Sequence, residues 1–387
     1  MMPLLLIVSV LTILLTIFLL KLLQIVRYHE EIPHVESLDG NAPMVSIIVP
    51  MRNEERNARQ CIETLMSQKY RNFEVIVVDD RSEDNTLTIL KELASKHSDF
   101  KLIKGTPTPE GWIGKNHALW QGVREAKGDW ILFVDADTIS ENHMLPSTIK
   151  FVEDNGVDML SLSPFQILET FWERVVQPVI FSSLYYAFPQ KKINDPKSKL
   201  AAAIGQFILI KRSVYEDTGG HSSIKNKIVE DFALAKLVKG SGYRLCVMRG
   251  INLIRTRMYT NFDELWEGWT KNLFFGLNKR WRNLIFLVSV LLSWGIIPPV
   301  LFIWSIFITV WGQSLSFVHL AIAFESTFLL ALVIYTAWHT NRLFSIPRFY
   351  SLTVPLGAAV YIAMVLSSAY KVASGEGVSW KERVYRL

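Results

Sequence analysis

Four apolar runs constrain what this chain can be before any other feature does. Residues 4–20 carry no charge, and only Ser9, Thr12 and Thr16 are polar. Extended to residue 23, the run just crosses a hydrocarbon core of ~30 Å at ~1.5 Å per helical residue. Residues 284–311, 316–338 and 349–370 are the other three runs. Half of the 387 residues are hydrophobic, a share a soluble domain seldom reaches. No basic residue precedes the first run and no small-x-small pattern follows it, so it reads as an anchor and not as a cleaved signal. Lys21 and Arg27 follow it and place its C-terminal side in the cytosol. Pro298-Pro299 is expected to kink or break the second run. The third carries His319 and Glu325, and the loop before it, with Gly312, Gln313 and Ser314, is uncharged. Arg280 and Arg282 before the second run, and Arg342 and Arg348 between the third and fourth, mark cytosolic flanks. Three C-terminal crossings would leave Lys381, Arg383 and Arg386 outside, against the positive-inside rule, so one of the three runs is a candidate re-entrant segment. These flanks account for the net charge of +5 without a nucleic-acid partner. The expected layout is an anchor at 1–27, a cytosolic domain at 44–257, an interfacial helix at 258–283, membrane segments at 284–371 and a basic tail at 372–387, in a multi-pass protein of the cell membrane.

Between the apolar ends the pattern changes. Residues 45–49, 73–78 and 130–134 are short β-branched runs, and 55–68 and 84–93 are helical. Ala58, Cys61, Ile62 and Leu65 share one face of the first helix; Leu87, Leu90 and Leu93 recur at helical spacing in the second. Continuous apolar strands alternating with helices predict an α/β, Rossmann-like and mostly parallel sheet covered on both faces. Cys61 and Cys246 are far apart and have no Cys or His neighbour, which excludes a disulfide framework and a structural zinc site.

Chemistry-bearing residues gather where the strands should end, the edge at which open parallel sheets bind ligands. Pro50, Asn53 and Glu54 follow the first strand; Asn53 also suits a helix cap. Asp79-Asp80 ends the second, and two adjacent acids are costly to hold close unless a donor such as a base N–H or a ribose hydroxyl meets them. Ser82 and Asp84 suit the cap of the next helix. The third strand ends in Asp135-Ala136-Asp137, two hard oxygen ligands suited to Mg2+ or Mn2+ with a diphosphate completing the shell. Gly114-Lys115 opens a helix without P-loop spacing, and Lys115 is placed to neutralise phosphate. His117 reads as a packing residue. Glu230-Asp231 opens a further amphipathic helix, as helix-dipole partners or as a general base.

Taken together, VSIIVPMRNEE, VIVVDDRSEDNT, FVDAD, GQFILIKR and VEDFAL resemble glycosyltransferase family 2, inverting enzymes of GT-A fold. The resemblance implies that Pro50, Asn53, Glu54 and Asp80 contact the nucleotide of a nucleotide-sugar, UDP-linked by preference. It implies that Asp135 and Asp137 hold the metal-diphosphate and that Asp231 is the base. Gln206, in GQFILIKR, is implied as a sugar or acceptor contact. GWIGKNHAL and the segment from Arg257 through Trp269, Lys271 and Asn272 are similar to bacterial carotenoid-acid glycosyltransferases and, more distantly, to hopanoid and ceramide enzymes. That places Glu230, Trp269 and Lys271 toward the sugar or acceptor. Processive synthases carry a Gln-x-x-Arg-Trp box; here Lys279-Arg280-Trp281 lacks the glutamine, which weighs against polymer synthesis.

Residues 262–281 set Phe262, Leu265, Trp266, Trp269, Leu273 and Phe274 along one broad face, and residues 166–189 are similarly aromatic. Both are expected to lie against lipid, with a lipid or polyisoprenoid acceptor. The expected reaction is metal-dependent hexosyl transfer to a membrane-associated acceptor. A carboxylate acceptor needs no base, so Asp231 favours a hydroxyl. The rivals are a polymerising synthase and a catalytically silent nucleotide-sugar-binding scaffold.

Overall fold

A computed structural model describes residues 2–28, 30–38, 42–311, 316–381 and 383–385. Residues 312–315 and Arg386, which entered the topology argument, lie outside the described residues. The chain divides into two compact units: Met1–Tyr28, Leu168–Ala187 and Tyr259–Leu387 form one, and His29–Ile167 with Phe188–Met258 the other.

In chain order the elements begin with helix α1 (Met2–Arg27) and then enter the second unit with β1 (Val45–Met51), α2 (Ala58–Met66), β2 (Phe73–Asp79), α3 (Thr86–Ala94) and β3 (Phe100–Lys104). There follow α4 (Gly114–Glu125), β4 (Trp130–Val134), β5 (Thr138–Ser140), α5 (Met144–Asn155), β6 (Met159–Ser163) and β7 (Phe165–Gln166). Helix α6 (Phe171–Ala187) returns to the first unit. The second unit closes with α7 (Gln190–Asn194), β8 (Phe207–Lys211), α8 (Arg212–Asp217), α9 (Gly220–Ser223), α10 (Glu230–Gly240), β9 (Leu245–Arg249) and β10 (Ile254–Thr256).

Seven strands form a sheet in the order β3-β2-β1-β4-β8-β6-β9, parallel except at β8. The β-branched runs are buried on both faces, as a covered parallel sheet requires. Ile47 and Val49 pack into one core with Ala58, Cys61, Ile62 and Leu65 of α2, while Ile48 packs into the other with Leu119 of α4 and Leu234 of α10. A smaller sheet, β5-β10-β7, sits beyond the end of β4. Register fixes the ligand edge. Met51 is level with Asp79, and antiparallel pairing of Val134 with Phe207 brings the residues before β8 opposite Asp135.

The first unit adds α11 (Phe262–Gly276), α12 (Trp281–Leu291), α13 (Ile297–Trp311), α14 (Phe317–Leu343) and α15 (Val354–Ala373), with a tail hairpin at Val378–Trp380 and Arg383–Tyr385. Four helical stretches are long and apolar enough to cross a membrane: Leu5–Arg27, Trp281–Trp311, Phe317–Leu343 and Arg348–Ala373. Of the kink or break expected at Pro298-Pro299, the helix shows no break: a π-helical turn at Leu292–Ile296 joins α12 to α13, with Ile297 N–H donating to Leu292 O. A π turn absorbs lost ladder bonds that a regular α-helix could not. On the broad apolar face of α11, Leu265, Trp269, Leu273 and Phe274 are buried, with α15 and α6 packed on the helix, while Phe262 and Trp266 are half-buried. Lys279 and Arg280 lie beyond its end, in the connection to α12, where Asn278 and Lys279 have positive φ.

Candidate active site

The two loops that follow β1 and β2 are zipped together. Asn53 N–H donates to Ser82 Oγ, Glu54 N–H to Thr86 Oγ1, and Glu55 N–H to Asp84 Oδ2, while Asn53 Oδ1 accepts from Glu83 N–H. Asn53 and Arg81 both adopt left-handed φ, at 50° and 59°. Such backbone costs energy and persists only where its surroundings hold it. Arg52 braces the pair by donating to the carbonyls of Asp80 and Arg81. Asn53 therefore holds the facing loop and does not cap α2. Asp84 caps Thr86, accepting from both its N–H and its hydroxyl. Asp79 and Asp80 are buried at the strand end; Asp79 turns back toward Ser82 N–H, 3.4 Å away. Pro50 lies within β1, opposite Val78.

A second cluster forms where β4, α4, α10 and the start of β8 converge. Lys115, in the first turn of α4, places its Nζ 2.7 Å from Asp135 Oδ1 and 2.6 Å from Glu230 Oε1. Two clips hold this register. Ile113 N–H donates to Lys225 O at 2.7 Å, and the buried Asn116 amide donates to the carbonyls of Ile224, Lys225 and Lys227. The segment leading into α10 is thereby fastened to the start of α4. Loss of solvent would lower the Lys115 ammonium, but Asp135 and Glu230 on either side outweigh it and hold it well above the usual lysine range.

Asp231 stands beside this bridge. Its Oδ2 accepts from Gly205 N–H at 3.1 Å and its Oδ1 from Phe232 N–H at 2.7 Å. Desolvation and the neighbouring Glu230 charge push its carboxyl up to about 7, against the pull of Lys115 and of the Phe232 N–H. Gly205 is the centre of the group. A Cβ built there would lie 3.4 Å from Lys115 Nζ and 3.5 Å from both Asp135 Oδ2 and Asp231 Oδ2. A residue with a long side chain at 205 would fill the space the three charged groups share.

Asp137 is held through its main chain, its carbonyl accepting from Thr256 Oγ1 of β10 at 3.1 Å. The carboxylates of Asp137, Glu54 and Asp135 are near enough to Cys61 that, after burial, they are the forces raising its thiol well above the usual range. Gln206 is buried at the start of β8, and His117 packs between Trp112 and Trp120 with Gln121 on its Nδ1. The structure thus gathers Lys115, Asp135, Glu230 and Asp231 into one cluster. Trp269 and Lys271 lie on α11 in the other unit, where the Trp269 ring packs against Phe181 and Tyr259. Sequence reasoning missed Gly205, Arg52 and Asn116. All three fall inside quoted motifs, but what marks them is the antiparallel pairing of β8 and contacts to carbonyls, neither of which a motif displays.

Residues 46–219 match the family described as Glycosyl transferase family 2. That match covers somewhat less than half of the 387 residues, and the fold around it is GT-A-like. It is 30% identical over 246 residues to the 4,4'-diaponeurosporenoate glycosyltransferase of Staphylococcus aureus (strain USA300), covering 62% of this chain and 63% of that protein. It is 27% identical over 248 residues to the enzyme of the same name from Staphylococcus haemolyticus (strain JCSC1435), covering 63% and 64%. The chain thus matches somewhat less than two thirds of the length of these relatives. Among solved structures it is similar in fold to a mannosyltransferase from Pyrobaculum calidifontis in complex with GDP-Man and Mn2+, with a TM-score of 0.51 and 16% identity over 94% of this chain and 98% of the other.

Proposed function

We propose that this protein is an inverting hexosyltransferase that moves a sugar from a nucleotide-sugar, UDP-linked by preference, to a lipid or polyisoprenoid acceptor at the cytosolic face of the membrane. The observation that carries the reading is the Asp135–Lys115–Glu230 bridge with Asp231 beside it, set around the bare backbone of Gly205. Pro50, Asn53, Glu54 and Asp80, on the two zipped loops, are assigned to the nucleotide. Lys115 is assigned to phosphate, and Gln206, Glu230, Trp269 and Lys271 to the sugar or acceptor.

Asp135 and Asp137 are assigned to a Mg2+ or Mn2+ ion and, through it, to the diphosphate. The site fits a cation: Asp135 already carries a positive group, the Lys115 ammonium, at 2.7 Å. Among the described residues no three His, Cys, Asp or Glu side chains converge as a ready-made cage. A hard ion held by one or two carboxylates, with phosphate and water completing its shell, needs no more. When bound, it supplies charge stabilisation to the departing diphosphate. The structural relative in complex with GDP-Man and Mn2+ supports the assignment.

Asp231 takes the proton from an acceptor hydroxyl. The oxygen attacks the anomeric carbon from the face opposite the diphosphate, the bond to the diphosphate oxygen breaks with its electron pair, and the configuration inverts. A carboxyl held up to about 7 is matched to that task near neutral pH. The staphylococcal relatives are named for a carotenoid acid, and a carboxylate acceptor needs no base. A built and tuned base therefore favours a hydroxyl acceptor here. Calorimetric titration of UDP and GDP with and without Mn2+ tests the donor half of the reading. Binding strengthened by the metal and weakened by Asp135→Asn is expected; no binding of either nucleotide would contradict it.

A further inference from the structure

Helix α15 is long enough to cross a bilayer, yet it packs differently from the other long apolar helices. Among those, α14 packs along both α1 and α13. Helices α1 and α14 run parallel: Ser9 and Thr12 hydroxyls donate to Glu325 at 2.7 and 3.3 Å, and Arg27, further along, reaches Tyr335 and His339. Helix α13 runs the other way, with Ser305 against Ser326. The end of α14 is therefore level with Arg27 and with the π turn. Trp294, Ala337, Thr340, Asn341, Thr353 and Val354 line one small cavity there.

Helix α15 begins at that level. Asn341 Nδ2 donates to Ser351 Oγ, and Gly295 is closed by Ala358. From there α15 does not turn back along α13 and α14 but follows α6 and α11. Gly357 sits under Val175 of α6, and Phe274 N–H of α11 donates to Ser368 Oγ at 3.1 Å. The tail strand Val378–Trp380 then packs on α11, with Val378 buried. Helix α11 starts at Phe262, a few residues after the catalytic unit ends at Met258. The chain has no length there to cross a membrane. From Leu352, in the 3-10 turn that leads into α15, an exposed apolar stripe continues along the outer face of the helix through Leu356, Ala359, Ala363, Leu366 and Tyr370, at alternating spacings of four and three. No charged residue interrupts it.

We propose that α15 lies along the cytosolic leaflet without crossing it, its stripe seated in the acyl boundary, so that the chain crosses the membrane three times and the tail shares the face of the catalytic domain. The occupant of the stripe is lipid, because the helix starts at the cytosolic end of a lipid-facing bundle and its other face is already covered by protein. Lys371, Lys381 and Arg383 then join Lys21, Arg27, Arg342 and Arg348 on one side, as positive-inside charge placement requires. The word cytosolic rests on the sidedness proposed above; the shared face does not.

The test labels single cysteines with a membrane-impermeant charged maleimide in sealed vesicles; Cys61 and Cys246 are buried. Glu376→Cys, in the tail, is compared with Lys150→Cys, exposed on α5 of the catalytic unit. Labelling of both in the same vesicle orientation is expected, and labelling in opposite orientations overturns the three-crossing arrangement. If both label only from outside the cell, the cytosolic reading fails while the shared face stands. Ala363→Cys is expected to react with a lipid-soluble maleimide and at least tenfold more slowly with the charged one. Equal rates would place the stripe in water and overturn the lipid contact.

Discussion

The catalytic unit and the membrane unit are both rich in buried apolar side chains, but burial means different things in them. In the catalytic unit the sheet is covered on both faces, and what stays partly open is the edge where Lys115, Asp135 and Asp231 meet. In the membrane unit the covered faces are those of α6 and α11, the two segments richest in aromatic residues, while the plain leucine and alanine stripe of α15 is left bare. Hydropathy gives one signal for both destinations. Contact with lipid and contact with protein remove the same side chains from water, so composition finds a membrane helix without saying which of its faces meets lipid.

The contrast can be broken with matched substitutions. The largest effect is expected in the proposed catalytic cluster: Asp231→Asn removes the proposed base and should lower transfer to a hydroxyl acceptor by ~10²–10⁴-fold, with donor affinity unchanged in a nucleotide titration. Gly205→Ala comes next. Its methyl meets Lys115, Asp135 and Asp231 at 3.4–3.5 Å, ordinary contact, so the protein should fold and melt as before. A methyl in the space these three groups share should still misplace the substrate between them and cut kcat by about 10–100-fold. The same change in the other unit should do the reverse. At Gly357 a Cβ would lie 2.3 Å from Val175 O, so Gly357→Ala forces α15 off α6. Thermal unfolding in lipid nanodiscs should show a loss of about 1–3 kcal/mol. Equal stability of the two alanine variants would erase the distinction between a pocket kept open and a helix contact kept close.

The smallest effect is a pH dependence. In the proposed role Asp231 must be ionised to accept a proton, and its carboxyl is held up to about 7. Turnover should therefore fall about tenfold per unit as pH drops below that value, and the dependence should vanish in Asp231→Asn. Stability runs the opposite way. A carboxyl raised above its unfolded value favours the folded state when protonated, so its contribution is full below the ordinary carboxylate range and is lost as pH rises through about 7. Unfolding measured at pH 5 and pH 8 in wild type and Asp231→Asn reads that sign.

Much of the sheet was legible because its signals are local. Strands such as Trp130–Val134 are continuous apolar runs, and Ala58, Cys61, Ile62 and Leu65 share a face at helical spacing. The acids that follow strand ends were visible for the same reason. The partners of those acids were not. Lys115 meets Glu230 because Asn116 and Ile113 are fastened to residues 224–227, more than a hundred positions away. Gly205 reaches Asp135 because β8 runs antiparallel to β4, and no residue type announces that reversal. Pro298-Pro299 was a correct sign of a disturbed helix but gave no notice that a π turn would carry the chain through.

One measurement bears most directly on the claim that this edge transfers a sugar with Asp231 as its base. Membrane fractions containing wild type or Asp231→Asn are incubated with a panel of UDP- and GDP-sugars, and the extracted lipids are analysed by mass spectrometry. Wild type should yield, with one donor, a lipid heavier by a single sugar residue, and Asp231→Asn should yield it at least ~10²-fold more slowly. No donor-dependent product with any sugar, or equal product from both proteins, would contradict the account.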